Sequence, residues 1–334
     1  VASSSVFPRE GDRVRGPHEK RWVVRAGDGT SLRDVLAKMR EDAAAAVAAG
    51  RVFVGRKRVT DPDARIAPGD EIRVGAASVR AANVTPAARA EVTILHRGDG
   101  LIAALKPSGM VTVPDHAGAA HSFVEAVARA AGVESSSLRV TSRLDREVSG
   151  VIVLATDDGS EARLREARER GTYVRRYVAI AATMDASELT DAGAWIAPIG
   201  RGKDARHRAV NGVDAKEART LYRVVARTHG GCFALLAVAP ITGRTHQIRV
   251  HAASAGAPLF GDRDYGGPVR ATLESGRIVS LGRIALHAAE VRVPTDAGAV
   301  LAIAAPVPPE LAGAWAELGG DAEAWNRAVS CEIE

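Results

Sequence analysis

The sequence predicts a mixed α+β fold for most of the chain, preceded by a small α/β unit of two helices and a short ribbon. The first observation is a series of short apolar or alternating runs. They lie at Val92–Leu95, Leu101–Leu105, Val151–Leu154, Tyr177–Ile180, Leu221–Ala226 and Phe233–Val238, separated by turn residues and a few helical stretches. The second is their order, which does not alternate strand and helix regularly and so argues against a wound parallel sheet. The third is size. With 334 residues, 46% of them hydrophobic and 25% charged, the chain has material for one large core and one small one.

Residues 1–20 are polar, contain Pro and Gly, show no apolar period, and are expected to form a loose leader. Residues 21–78 read as the small unit. Thr30-Ser31 caps a helix with Leu32, Val35, Leu36 and Met39 at helical spacing, and an Ala-rich second helix ends at Gly50. Arg51-Val52-Phe53-Val54 then meets the turn-like Gly55-Arg56-Lys57-Arg58, and Pro68-Gly69-Asp70 leads into Glu71-Ile72-Arg73-Val74. Residues 79–90 lack a period and read as a linker, residues 91–310 hold the strand-rich domain, and residues 311–334 form an acidic tail carrying Trp315 and Trp325.

Composition excludes several function classes. The longest apolar runs, such as Phe233–Ile241, are about half the ~20 residues of a membrane span. The N-terminus, with Arg9, Glu10, Asp12, Arg13 and Arg15, lacks a secretory apolar core, and Cys232 and Cys331 give neither a disulfide framework nor a metal pair. A cytoplasmic location is expected. The net charge is +5, with +5 in residues 1–80, +6 in residues 171–250 and −5 in residues 251–334, which fits a polyanionic partner. Arg56, Lys57 and Arg58 would mark an approach path for it.

Three segments carry chemistry. In Thr242-Gly243-Arg244-Thr245-His246-Gln247-Ile248-Arg249, Thr245 is expected to cap a helix that Gly256 ends, fixing Arg249 at the start of its second turn. His246 and His251 are five apart, about 140° around a helix, so they do not make a metal pair. In Ser142-Arg143-Leu144-Asp145-Arg146-Glu147-Val148, a carboxylate between two arginines stays ionised, which suits nucleophilic or base work as well as a structural ion pair. In Thr172-Tyr173-Val174-Arg175-Arg176-Tyr177, strand alternation aims Arg175 and Tyr177 to one face. That is either a cation beside a stacking ring for an unstacked base or a strand with a half-buried tyrosine.

In this order the three segments resemble the RluA-type RNA pseudouridine synthases. Leu105-Lys106-Pro107-Ser108-Gly109-Met110, Ala215-Lys216-Glu217-Ala218-Arg219-Thr220, Gly261-Asp262-Arg263-Asp264-Tyr265-Gly266 and Leu286-His287-Ala288 extend the likeness over about residues 91–308. Gly50–Val54 and Pro68–Ile72 resemble an S4 RNA-binding domain, although Glu41-Asp42 and alanines stand where such modules carry basic side chains.

The resemblance implies a largely antiparallel central sheet under a basic cleft, no cofactor, and structured ribosomal or transfer RNA as partner; the oligomeric state is left open, with a monomer favoured. The implied reaction detaches uracil from its ribose and rejoins it through C5. Asp145 is the implied essential group, acting on ribose C1′, on uracil C6, or through a glycal. Arg249 would pair with it, Tyr177 would stack beneath the flipped base, Arg143 would fill the vacated space, and Arg244 would contact the substrate. Ser142, Val148 and Arg175 replace the family's usual His, Thr and Lys. These departures leave open an RNA-binding protein with weak or lost catalysis. A sugar-bond hydrolase would need a second, opposed carboxylate, and none stands out.

Overall fold

Strand formation is governed by where apolar residues find two covered faces, and the central strands of this chain do. The computed structural model describes the chain except residues 1–19, 49–51, 56, 60, 75–91, 115–121, 184–188, 205, 206, 229 and 334. The expected linker and all of the expected leader but Lys20, which begins a strand, therefore lie outside the described residues, as does Arg56 with the side chains of Lys57 and Arg58. Contacts divide the chain into Val1–Val79 and Arg80–Glu334.

The first unit contains β1 (Lys20–Val23), α1 (Leu32–Lys38), α2 (Ala43–Ala48), β2 (Val52–Val54), β3 (Lys57–Arg58) and β4 (Glu71–Val74). Its strands pair antiparallel in the order β1-β4-β2-β3. Ser31 starts α1 by accepting the Asp34 N–H, and Asp34 accepts the Ser31 N–H in return, which fixes the first turn. Leu32, Val35 and Leu36 then face Val52, Ile72 and Val74 in one buried cluster.

The second unit begins with β5 (Thr93–Gly98), β6 (Leu101–Lys106), α3 (Phe123–Ala131), β7 (Arg139–Val140), β8 (Ser149–Ala155), α4 (Asp158–Glu169) and β9 (Val174–Ala182). It continues through β10 (Ala192–Ile196), β11 (Ile199–Arg201), β12 (Arg208–Val210), β13 (Val213–Lys216), β14 (Arg219–Arg227), β15 (Phe233–Pro240) and α5 (Gln247–Ser254). It ends with β16 (Arg270–Thr272), β17 (Ile278–Ser280), β18 (Leu286–Pro294), β19 (Val300–Ala304), α6 (Pro309–Glu317) and α7 (Ala324–Ser330).

The main sheet runs β10-β14-β15-β9-β18-β8-β6-β5, with β19 added to β18 and β7 to β8. Among the described residues every pairing between these strands is antiparallel except β18 with β8, so the mixed, largely antiparallel expectation is met. Gly150 makes that parallel contact possible. Its φ is +131°, and a Cβ there would collide with the Ala288 backbone.

β8 is buried along its whole length because both faces are covered. Ile152 and Leu154 meet Phe123 and Val127 of α3, while Val151 and Val153 meet Leu164 and Ala167 of α4. Each of the larger side chains contributes roughly 1.5–3 kcal/mol by leaving water. All six expected strand runs form strands. β18 lies outside the expected runs because its apolar residues are interrupted by His287, Glu290 and Arg292, which weaken the apolar signal. Residues 311–334, read as an acidic tail, contain α6 and α7, where Trp315 and Trp325 are buried and Glu332 pairs with Arg176 at 2.7 Å.

Candidate active site

The loop between β7 and β8 carries Asp145, and a neighbouring loop after β6 holds it by its backbone. Thr112 Oγ1 donates to the Leu144 carbonyl at 2.8 Å and accepts the Leu144 N–H at 3.1 Å. The Ser108 hydroxyl donates to the Glu147 carbonyl, and the Gly109 N–H donates to the Arg146 carbonyl at 2.7 Å. Beneath them the buried Lys106 ammonium donates to the carbonyls of Pro107, Met110 and Arg146. Burial, then the charge of Arg283, pushes Lys106 down to about 7, while Asp145 pulls it up. The Val148 side chain is buried against Tyr177 and Ile248, so apolar contact, not a hydroxyl, seats the end of this loop. Ser142 Oγ lies 3.4 Å from Tyr173 Oη.

Arg249 meets Asp145 from the other side. The helix predicted around it starts later than the sequence indicated. Its N-cap is His246 with φ +58°, and Thr245 is not a cap. The cause is Gln247, whose Oε1 accepts from the Thr242 hydroxyl at 2.7 Å and from the Arg244 N–H at 2.9 Å, folding the preceding turn back on α5. Arg249 therefore lies in the first turn, not at the start of the second. Its Nε and Nη2 donate to the two oxygens of the wholly buried Asp262 at 2.7 and 2.8 Å, Nη2 also to Asp264 at 2.8 Å, and Nη1 to Asp145 Oδ2 at 3.1 Å. Burial opposes its charge, but the hydrogen bonds and charge of Asp262, followed by Asp145, carry its pKa above the ordinary guanidinium value. Tyr265 lies under the guanidinium, 4.9 Å from ring centre to Cζ.

A cleft of about 580 Å³ opens over this pair. The five site residues that the sequence resemblance implied line it: Asp145, Arg249, Tyr177, Arg143 and Arg244. Arg175 and Tyr177 do share one face of β9. Arg175 donates to the carbonyls of Pro240 and Thr242, bracing the turn before α5, and the Arg244 Nε is tied to the Glu217 carbonyl. Among the described residues six arginines line the cleft with one carboxylate, Asp145, which gives a surface suited to a polyanion. Arg168, absent from the sequence reading, is among them and stacks on Tyr173 with Cζ 4.7 Å from the ring centre. His251 turns away, accepting from or donating to Thr220 through Nδ1 and donating to the Ala197 carbonyl through Nε2. No cluster of metal ligands occurs among the described residues.

Asp262, Lys106 and Thr112 were not assigned roles from sequence. Lys106 and Asp262 stood in segments noted for family likeness, yet a single Asp, Lys or Thr in a loop gives no sign of which distant backbone or side chain it will meet.

Comparison with known proteins gives the chemical class. The family model for RNA pseudouridylate synthase matches residues 100–254. Ribosomal large subunit pseudouridine synthase C of Escherichia coli is 33% identical over 276 residues, covering 77% of this chain and 82% of that protein. The chain belongs to the RNA pseudouridine synthase family. Pseudouridine synthases are isomerases that convert uridine to pseudouridine in RNA, and this chain is one of them. Ribosomal large subunit pseudouridine synthase D of Nitrosomonas europaea is 32% identical, covering 73% of this chain and 70% of that relative. The fold of human RNA pseudouridylate synthase domain containing 1 matches with a TM-score of 0.52 at 22% identity, over 67% of this chain and 87% of that one. Among the described residues no helix is long and apolar enough to cross a membrane.

Proposed function

We propose that this pseudouridine synthase acts on uridine in ribosomal RNA with the Asp145 carboxylate as its essential group. The reading is carried by one observation: a buried guanidinium, already neutralised by Asp262, turns its remaining Nη1 to Asp145 at the floor of a basic cleft. A carboxylate so paired is oriented for attack.

In the proposed reaction the uracil leaves the RNA stack and rests on Tyr177, at a cost of a few kcal/mol. The N1–C1′ bond breaks, the base turns, the C5–C1′ bond forms, the C5 proton is lost and N1 gains one. Atoms and electrons balance within the nucleotide. Asp145 attacks C1′ or C6, or assists elimination through a glycal, and each route requires its ionised form. Arg143 occupies the space that the base vacates, and Arg244 meets a phosphate. Ribosomal RNA is favoured over transfer RNA by the names of two relatives, the large-subunit synthases C and D. The first unit is proposed to serve as an S4-like RNA-docking module, supported by its helix pair beside a small sheet.

The test is release of tritium from RNA labelled at uridine C5. Release by the unaltered chain from ribosomal RNA, abolished in Asp145→Asn while RNA binding survives, is the expected result. Release by the Asn variant at the unaltered rate would remove Asp145 from the mechanism.

A further inference from the structure

His246 faces Asp145 from a backbone position that a residue with a Cβ does not favour. Its φ of +58° lies in the left-handed region, at a cost of roughly 1–2 kcal/mol, and its side chain makes no capping bond. That conformation places the imidazole edge-on to Tyr265, with ring centres 5.7 Å apart at 80°.

The hydrogen bonds around Tyr265 favour one tautomer. The phenol oxygen accepts the Arg208 N–H at 2.9 Å and keeps its own proton to donate to His246 Nδ1, 2.7 Å away. In that tautomer Nδ1 is the acceptor, and the ring carries its proton on Nε2. Nε2 lies 3.9 Å from Asp145 Oδ2, the same oxygen that takes the Arg249 Nη1 bond at 3.1 Å. Among the described residues no hydrogen bond engages Oδ1. The other tautomer would set a lone pair against the carboxylate. Burial is the main cause holding the His246 pKa below its ordinary value, so the neutral ring prevails near pH 7.

We propose that His246, held by Tyr265, acts with Arg249 to pin Oδ2 of Asp145, and that Oδ1 is thereby the oxygen that reacts. This rests on the reading of Asp145 given above. His246 is a positioning residue: its Nε2–H steadies the carboxylate, and the 3.9 Å separation closes to a hydrogen bond when RNA excludes water from the cleft. The other titratable groups facing Asp145 are Arg249 on α5, Tyr265 in the turn after it, Tyr177 on β9 and Lys106 at the end of β6. Of these, Tyr265 is the one bonded to His246, and Arg249, Tyr177 and Lys106 keep their own partners when His246 is changed. Loss of its N–H disfavours the charged carboxylate and moves the acid limb of the kcat profile to higher pH.

The experiment compares tritium release across the acid pH range for the unaltered chain and the His246→Phe, His246→Gln, Tyr265→Phe and Asp145→Asn variants. The expected result for His246→Phe is a kcat about tenfold lower or less, KM within about twofold, and an acid limb shifted upward. His246→Gln, whose amide N–H replaces Nε2–H, recovers part of kcat. Tyr265→Phe, which frees the tautomer, changes kcat and the acid limb in the same direction by a smaller factor, and decides the matter if His246→Phe does not fold. An unmoved acid limb in both the Phe variants overturns the proposal, as does His246→Gln no better than His246→Phe. An inactive Asp145→Asn beside an unaltered His246→Phe refutes the role of His246 alone, whereas an active Asp145→Asn refutes the reading on which it rests.

Discussion

Asp262 grips Arg249 through both oxygens, and it does so from a position with no solvent exposure. A bidentate pair of this kind fixes the guanidinium plane as well as its charge. The atom left over, Nη1, is the one that meets Asp145. The direction of Arg249 is therefore set behind the cleft, by a carboxylate that does not line it.

Asp262→Asn keeps the volume and removes the charge. The buried guanidinium then loses its main compensation, and a stability loss of about 3 kcal/mol is expected, read from the urea midpoint at constant m-value. Activity falls with it, because Asp264 and Asp145 alone do not fix the plane of Arg249. An unchanged midpoint would show that Asp264 suffices.

Thr112→Val keeps the shape of the side chain and deletes both hydrogen bonds to Leu144. The cost is about 1–3 kcal/mol for the backbone groups left unpaired. Since Leu144 precedes Asp145, the loop loosens where the carboxylate is carried, and kcat is expected to fall about tenfold with KM little altered. Steady-state tritium release separates the two constants.

His287 gives the fold an acid limit. It is buried between Ser149, whose Oγ lies 2.7 Å from Nδ1, and the Arg283 network. Burial, then the charge of Arg283, pushes it down to about 3 from 6.5. Between those values the unfolded chain binds a proton that the folded chain does not, so the His287 contribution is present above pH 6.5 and is lost as pH falls toward 3. Each unit within the window costs up to about 1.4 kcal/mol. A stable His287→Gln variant is expected to show a shallower fall in urea midpoint across that window.

Tyr177 lines the cleft with its ring, and stacking on that ring needs no hydroxyl. Tyr177→Phe is expected to keep KM within a few-fold. Tyr177→Leu is expected to raise it tenfold or more, since stacking of one base is worth about 1–3 kcal/mol. Equal KM values for the two variants would place the uracil elsewhere.

Much of the frame was legible in local pattern. Six apolar runs became strands, and Ser31 capped α1 where a hydroxyl before Leu32 foretold it. β18 escaped because burial on a central strand depends on its neighbours β9 and β8, and His287 in its sequence looks polar until Ser149 meets it. The start of α5 escaped for a similar reason: Thr245 has the chemistry of a cap, but Gln247 captures Thr242 and Arg244 and shifts the boundary.

The sequence by itself determined the chemical cast: Asp145 between arginines, Arg249 near the start of a helix, and Arg175 and Tyr177 on one strand face. These follow from short-range periodicity and from motifs a few residues long. Only the tertiary structure decided that Asp262 would set the plane of Arg249, that Thr112 and Lys106 would hold the Asp145 loop, and that Tyr265 would meet the His246 ring. Each of those is a hydrogen bond between residues 13 to 40 positions apart. Such a bond depends on where chain folding brings its partners, and no local propensity encodes it.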